Sequence, residues 1–140
     1  MNNVNHCCIT IDYTPSFHDT DAMGVVWHGN YLKFFEKARE ALFRKFNYGY
    51  KEMVNSGYVW PIVDAKIKYT APALAEQTLE IFAKLEEYEH RIKISYLIKD
   101  KKTGKKTTSG YTTQVAVSAT NQEMSFVTPD IFLKCFGIIK

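Results

Sequence analysis

Cysteine is scarce in this 140-residue sequence: Cys7, Cys8 and Cys135 are an odd set without metal-ligand spacing. That pattern argues against a disulfide framework and a cysteine-held metal, and it fits a reducing cytoplasm. The opening Met1-Asn2-Asn3-Val4-Asn5-His6 lacks the charged-then-apolar order of a secretion signal. No apolar run approaches the roughly 20 residues needed to cross a bilayer, and no repeat or low-complexity tract interrupts the chain. Excess charge is also small. The net charge is +3, and its densest local source is Lys99, Lys101, Lys102, Lys105 and Lys106 around Gly104. No arginine-rich or aromatic-interleaved stripe accompanies them, so a solvated hairpin tip is expected there and a nucleic-acid surface is not. The anionic tail of a ligand, or an acidic acyl carrier protein, stays open as a partner for those lysines.

Aromatic side chains, by contrast, are plentiful: nine Tyr, nine Phe and two Trp in a chain that is 46% hydrophobic. The length suits one core and one domain, residues 1–140, and is too short for two of ordinary size. So much flat apolar surface exceeds what a small monomer hides, which predicts self-association.

Residues Cys8 to Tyr13 alternate, with Ile9, Ile11 and Tyr13 against Thr10 and Asp12, and Pro15 closes this first strand. From Tyr31 to Phe46 the apolar positions Leu32, Phe34, Phe35, Ala38, Ala41, Leu42, Phe43 and Phe46 cover more than half of a helix circumference. Lys33, Lys37, Glu40 and Arg44 form the narrower polar strip. Asn30 suits the N-cap and Gly49 the C-terminal stop, for a helix of about 25 to 30 Å. Tyr50 to Ser56 adds a short helical turn ended by Gly57. Period two then takes over in Val63, Ala65, Ile67 and Tyr69, in Leu79, Ile81, Ala83 and Leu85, and in Ile92, Ile94, Tyr96 and Ile98. After the lysine-rich tip comes a last long strand with Tyr111, Thr113, Val115 and Val117 on one side, and Pro129 to Phe136 reads as a closing helix. Strands joined without helical crossovers predict an antiparallel α+β domain, its one long helix against the concave face of the sheet.

The run Asp19-Thr20-Asp21-Ala22-Met23-Gly24-Val25-Val26-Trp27-His28-Gly29-Asn30-Tyr31 sets two carboxylates, two glycines, an imidazole and a phenol directly ahead of that helix. A carboxylate there sits beside backbone N–H groups able to polarise a carbonyl, so one segment supplies an attacking group and an oxyanion site. An aspartate side chain is already a carboxylate at neutral pH and acts on an activated acyl group such as a thioester without elaborate tuning. Taken alone, Asp21 ahead of Gly24 is also an ordinary turn signature.

Asp21, Gly24, His28 and Tyr31, followed by Glu36 and Arg39, fall in the spacing D-x-x-G-x-x-x-H-x-x-Y-x-x-x-x-E. This resembles the signature of the hotdog-fold acyl-CoA thioesterases, in particular the 4-hydroxybenzoyl-CoA thioesterase-like group. The likeness continues through Tyr69 and Pro72 and, more weakly, to Pro129. It implies a long helix wrapped by a curved antiparallel sheet, a homodimer or homotetramer with active sites at subunit interfaces, and hydrolysis of a short-chain or aromatic acyl-CoA without a metal or other cofactor. It further implies Asp21 as general base or nucleophile, and the backbone N–H of Tyr31 at the helix N-terminus as the group that binds the thioester oxygen. His28 orients the substrate, polarises the carbonyl or holds the Asp21 loop. Gly24 supplies a close approach or a positive φ, and Trp60, Pro61 and Ile62, ahead of the central strand, line the acyl pocket. Glu36 and Arg39 are expected to pair on the polar strip, Asp19 to be a turn residue, and His6, His18 and His90 to be surface or cap residues.

The chain departs from many relatives at Glu76-Gln77, where they carry Gly-Asp. Two other classes fit the same residues: a dehydratase or hydratase on acyl thioesters with His28 as base and Glu36 as acid, and a non-catalytic acyl-CoA or acyl-carrier-protein binding protein. Both rank below hydrolysis, because Glu36 falls two turns beyond His28 on the polar side and the motif residues are intact.

Overall fold

Side-chain alternation decides which face of each strand meets the helix. The computed structural model describes residues 4–140; Met1, Asn2 and Asn3, part of the segment read above as lacking a secretion signal, lie outside the described residues. In chain order the elements are β1 (Cys8–Tyr13), α1 (Tyr31–Lys45), α2 (Tyr50–Ser56), β2 (Tyr58–Val59), β3 (Ile62–Tyr69), β4 (Leu79–Glu87), β5 (Ile92–Asp100), β6 (Lys106–Gln114), β7 (Val117–Ser118) and α3 (Asp130–Cys135). Five strands make one antiparallel sheet in the order β1-β4-β5-β6-β3. Leu79, Ile81, Ala83 and Leu85 of β4, with Ile92, Ile94, Tyr96 and Ile98 of β5, are buried, as their period of two requires.

Against that face lies α1, with Phe34, Phe35, Ala38, Leu42 and Phe43 buried. The Phe35 ring stacks on Tyr96 at a centroid distance of 4.2 Å. Gly110 of β6 makes room for it, since a Cβ there would lie 2.9 Å from the Phe35 ring and 2.2 Å from the Lys66 carbonyl oxygen. Burial of side chains of this size contributes roughly 2 to 3 kcal/mol each, so α1 and the sheet hold each other in place.

Several expectations are corrected. The 15 residues of α1 span about 22 Å, because the chain turns at Asn47, with a φ of 60°, before it reaches Gly49. Gly49 instead occupies the N-cap position of α2. Leu32, on the expected apolar face, is exposed. Arg39 does not pair with Glu36; its Nη1 donates to Tyr96 Oη at 3.3 Å. β3 is an edge strand and not a central one, and nearly all of its residues are exposed. The last long strand ends at Gln114, after which Val117 and Ser118 pair with β2 as a separate ribbon.

The lysine-rich tip is a hairpin, in which Asp100 Oδ2 accepts the Thr103 N–H at 2.8 Å and Lys101 reaches across to Asp12. α3 delivers Phe132 and Phe136 beneath the C-terminal half of α1, where they meet Phe43. A His6 ring nitrogen bonds the Phe136 carbonyl at the end of α3 at 2.9 Å, the capping role expected of it.

Candidate active site

Asp19 organises the segment ahead of α1. It is only 3% exposed, yet nothing in its sequence context separates it from a turn aspartate. Its Oδ2 accepts from Tyr13 Oη at 2.7 Å and from the Ser16 N–H at 3.0 Å, and its Oδ1 accepts from Lys33 Nζ at 2.8 Å. Burial alone would raise this carboxyl, but the bonds from Lys33, Tyr13 and Ser16 outweigh it and hold it at about 2. Burial, with the neighbouring Asp19 carboxylate, pushes the Tyr13 phenol up to about 12. The Asp19 backbone oxygen accepts from the Trp27 N–H at 2.9 Å and from Asn30 Nδ2 at 2.8 Å. Asn30 therefore stands at the N-cap position, as expected, but its side chain ties the helix start back to Asp19 instead of capping α1.

Beyond Asp19 the chain makes a tight loop closed by the Thr20–Val26 bridge. Asp21 sits on its outer turn and is exposed; its Oδ1 accepts the Met23 N–H at 2.8 Å, and Oδ2 has no partner among the described residues. Gly24 has a φ of 77° with open space around it, so its contribution is the positive φ and not a close approach. The loop is braced from below, where Val25 bridges Leu74 and the Val26 N–H donates to the Ala73 carbonyl at 2.7 Å.

A single turn of 3-10 helix, His28–Asn30, leads into α1. Its first internal bond runs from the Asn30 N–H to the Trp27 carbonyl, and the Tyr31 N–H donates to the His28 carbonyl. The Tyr31 N–H, expected to be the oxyanion donor, is thus already engaged; the N–H groups of His28 and Gly29 precede the first bond of the turn and are the ones such a helix start leaves over. The His28 carbonyl also accepts from Tyr69 Oη at 3.2 Å. That carbonyl and the Gly29 N–H belong to one peptide unit, so both bonds strengthen the Gly29 N–H as a donor. The Trp27 indole lies over Gly29, where a Cβ would meet its carbons at 2.1 to 2.7 Å. The His28 imidazole is exposed, 5.1 Å from the Trp27 ring, and makes no hydrogen bond to Asp21 among the described residues. Tyr31 is buried, its ring edge-on to Phe34 and Tyr69.

The structure therefore brings Asp21, Gly24, His28 and Tyr31 together on one loop and turn. It does not bring Trp60 to them within the same protomer. Trp60 is buried beside Tyr48 and Phe132 near the other end of α1, while Pro61 and Ile62 are exposed at the start of β3. Sequence reasoning missed Asp19 and Tyr69, whose roles arise only when separate elements converge.

A sequence model of the thioesterase-like superfamily matches residues 15–132. The chain belongs to that superfamily. The acyl-CoA thioesterase YbgC of Helicobacter pylori is 39% identical to this thioesterase-like chain over 71 residues, 51% of this chain and 51% of that protein. The chain spans about half the length of such curated relatives. Among solved structures, a 1,4-dihydroxy-2-naphthoyl-CoA thioesterase from Synechocystis matches with a TM-score of 0.83, at 20% identity over 93% of this chain and 96% of that one. The DHNA-CoA thioesterase of Staphylococcus aureus gives 0.78, at 25% identity over 84% and 78%. The α1 helix against its five-stranded antiparallel sheet is the hotdog fold. Among the described residues, no helix is long and apolar enough to cross a membrane.

Proposed function

We propose that this thioesterase-like chain hydrolyses acyl-CoA thioesters with short-chain or aromatic acyl groups, acting in the cytoplasm as a homo-oligomer of one-domain subunits, residues 1–140. The observation that carries this reading is the Asp19 clamp: its backbone oxygen fixes Trp27 and Asn30 while two residues on, across the Thr20–Val26 bridge, Asp21 keeps an open carboxylate oxygen. Carboxylate and oxyanion donors are held on one rigid loop before substrate arrives, which is where electrostatic stabilisation of a tetrahedral oxyanion draws its strength. As base, Asp21 takes a proton from the water that attacks the thioester carbon and passes it to the departing sulfur; as nucleophile, it forms an anhydride while CoA leaves as the thiolate, which takes up a proton from the water that then hydrolyses the anhydride and frees Asp21. In either case the oxygen gathers negative charge against the N–H groups of His28 and Gly29, and the carbon–sulfur bond breaks.

Oligomerisation completes this arrangement. Around the loop, Met23 is 84% and Trp27 50% exposed, and Ile62, Val63 and Tyr69 are exposed along the free edge of β3. A second copy paired on that edge covers a strand whose hydrogen-bonding groups otherwise face water, and it supplies the wall that the exposed Asp21 lacks. CoA is the thioester carrier in this reading, and the three free cysteines suit a reducing compartment.

The test is a panel of acyl-CoA esters with a thiol reagent and sedimentation of the same sample. Asp21→Asn is expected to lose at least about a hundredfold in kcat/KM with an unchanged melting midpoint. Full activity in that variant refutes the assignment.

A further inference from the structure

Trp27 stands immediately ahead of the turn that opens α1, and its backbone is fixed on both sides. The N–H donates to the Asp19 carbonyl at 2.9 Å, and the carbonyl accepts from the Asn30 N–H at 2.9 Å. The clamp that holds the loop therefore also sets the direction in which this side chain leaves the chain. The indole is half exposed, and its Nε1–H has no partner among the described residues, so no hydrogen bond decides where the ring lies.

The ring occupies the space of a missing side chain. A Cβ at Gly29 would lie 2.1 Å from Cζ3, 2.4 Å from Cη2 and 2.7 Å from Cε3 of the indole, far inside the roughly 3.5 Å at which carbon atoms rest. The glycine is not required by its backbone. Its φ lies outside the left-handed region, and it belongs to a turn of 3-10 helix that any residue can join. What position 29 needs is the absence of a Cβ under the ring.

At a helix start the Cα–Cβ bonds tilt toward the N-terminus, the same end to which the unbonded N–H groups point. A ring in the Cβ place of residue 29 thus flanks the Gly29 N–H. The other side of that peptide unit is already engaged, since the His28 carbonyl accepts from the Tyr31 N–H and from Tyr69 Oη. Apolar carbon beside an unbonded donor displaces water that competes for it and lowers the local dielectric. Both changes strengthen a bond to an anion more than a bond to a neutral carbonyl.

We infer that Trp27 is a positioning residue for thioester hydrolysis: its indole, seated in the place of a side chain at 29, screens the Gly29 N–H from water, so that the donor gains most when the thioester oxygen becomes an anion. The inference rests on the hydrolase reading. It makes Trp27 and Gly29 one unit, in which the small residue matters because the large one lies on it.

The experiment is a double-mutant cycle of Trp27→Ala and Gly29→Ala on the full chain, with kcat and KM measured on the acyl-CoA that the wild type hydrolyses fastest. Gly29→Ala keeps the N–H and favours a helical backbone, and its clash is with a half-exposed ring that can swing outward. Each single variant should lose about five- to tenfold in kcat with KM within about twofold, because water competes with the oxyanion far more than with the ground state. The double variant should be no slower than Trp27→Ala, since the ring is then already gone. A spectroscopic arm needs no turnover: in a Trp60→Phe background Trp27 is the lone tryptophan, and Gly29→Ala should shift its emission to the red and increase its quenching by acrylamide. Losses that multiply in the double variant, a rise in KM in place of the fall in kcat, a loss that accompanies dissociation of the assembly in sedimentation, or unchanged Trp27 emission in Gly29→Ala overturns the inference. If Trp27→Ala does not fold, Gly29→Ala and Trp27→Phe decide by the same split between kcat and KM. A wild-type rate that neither substitution touches overturns this inference alone, whereas a wild type that hydrolyses no acyl-CoA overturns the hydrolase reading and this inference with it.

Discussion

At its N-terminal end α1 meets a loop whose buried carboxylate, Asp19, is saturated with donors while Asp21, Met23 and Trp27 stand in the open. At its C-terminal end an aromatic cluster encloses a chain of hydrogen bonds that lacks only one donor. The first end is stabilised from within and left open outward, the arrangement expected of a surface that a second copy covers. The second is closed, with Tyr48, Trp60 and Phe132 buried and one buried acceptor, Gln114 Oε1, left without a partner. One helix thus separates an open polar loop from a closed aromatic cluster, about 22 Å apart along its axis.

The contrast is broken most severely at Asp19. Asp19→Ala removes the acceptor for Tyr13, Ser16 and Lys33 together, and an expected loss of about 2 to 4 kcal/mol in urea unfolding should accompany a collapse of kcat. The C-terminal end tests the specificity of this: Trp60 fluorescence in a Trp27→Phe background should report a packed aromatic cluster in folded Asp19→Ala.

Asp19→Asn sharpens the same point through pH. The folded carboxyl is held down to about 2 from an ordinary 3.8, so its contribution is complete above the unfolded value and lost as pH falls through the folded one. Wild type should exceed Asp19→Asn by about 2 kcal/mol from ionisation at pH 6, with that excess shrinking between roughly pH 4 and pH 2. A constant difference across that window, in parallel denaturation series, contradicts it.

A smaller effect belongs to Tyr69→Phe, which keeps the ring against Tyr31 and deletes only the bond to the His28 carbonyl. We expect kcat to fall about three- to tenfold with KM and melting midpoint nearly unchanged, since the lost polarisation acts on the Gly29 N–H, the proposed oxyanion donor. Glu76→Gly should do least: Glu76 is exposed with a φ of 64°, and relief of that strain, set against the greater freedom of glycine when unfolded, leaves a gain of about 0.5 to 1 kcal/mol in thermal unfolding.

The last variant shows why some features were legible in the sequence. At Glu76-Gln77, where the family resemblance leads one to expect Gly-Asp, the structure still makes the turn, with the Glu76 N–H on the Pro15 carbonyl and Gln77 Oε1 accepting from the Leu74 N–H. The bounds of β1 and α2 and the inward faces of β4 and β5 follow from alternation and from Gly57, all local signals. β3 alternates equally well, but alternation says nothing of a strand's place in the sheet; its central position was expected from the family resemblance, and it lies at the edge with nearly all of its residues exposed. The site divides the same way. Asp21, Gly24, His28 and Tyr31 are read from one contiguous spacing, whereas the burial of Asp19 needs β1 and α1 to converge. Asn47 escaped notice because a left-handed turn at asparagine competes with a nearby glycine, and Gly49 was the stronger textual signal.

The pairing of Cys8 with Lys84, and the bond from His6 to the Phe136 carbonyl, bear on biosynthesis. Of the five strands of the sheet β1 leaves the ribosome first, it has no neighbour in that sheet until β4 emerges, and its latch waits for α3. Such long-range closure makes for slow, late-committing maturation in which Ile9 and Ile11 stay uncovered while translation proceeds, so chaperone demand during expression should track how quickly the segment carrying Phe136 is made.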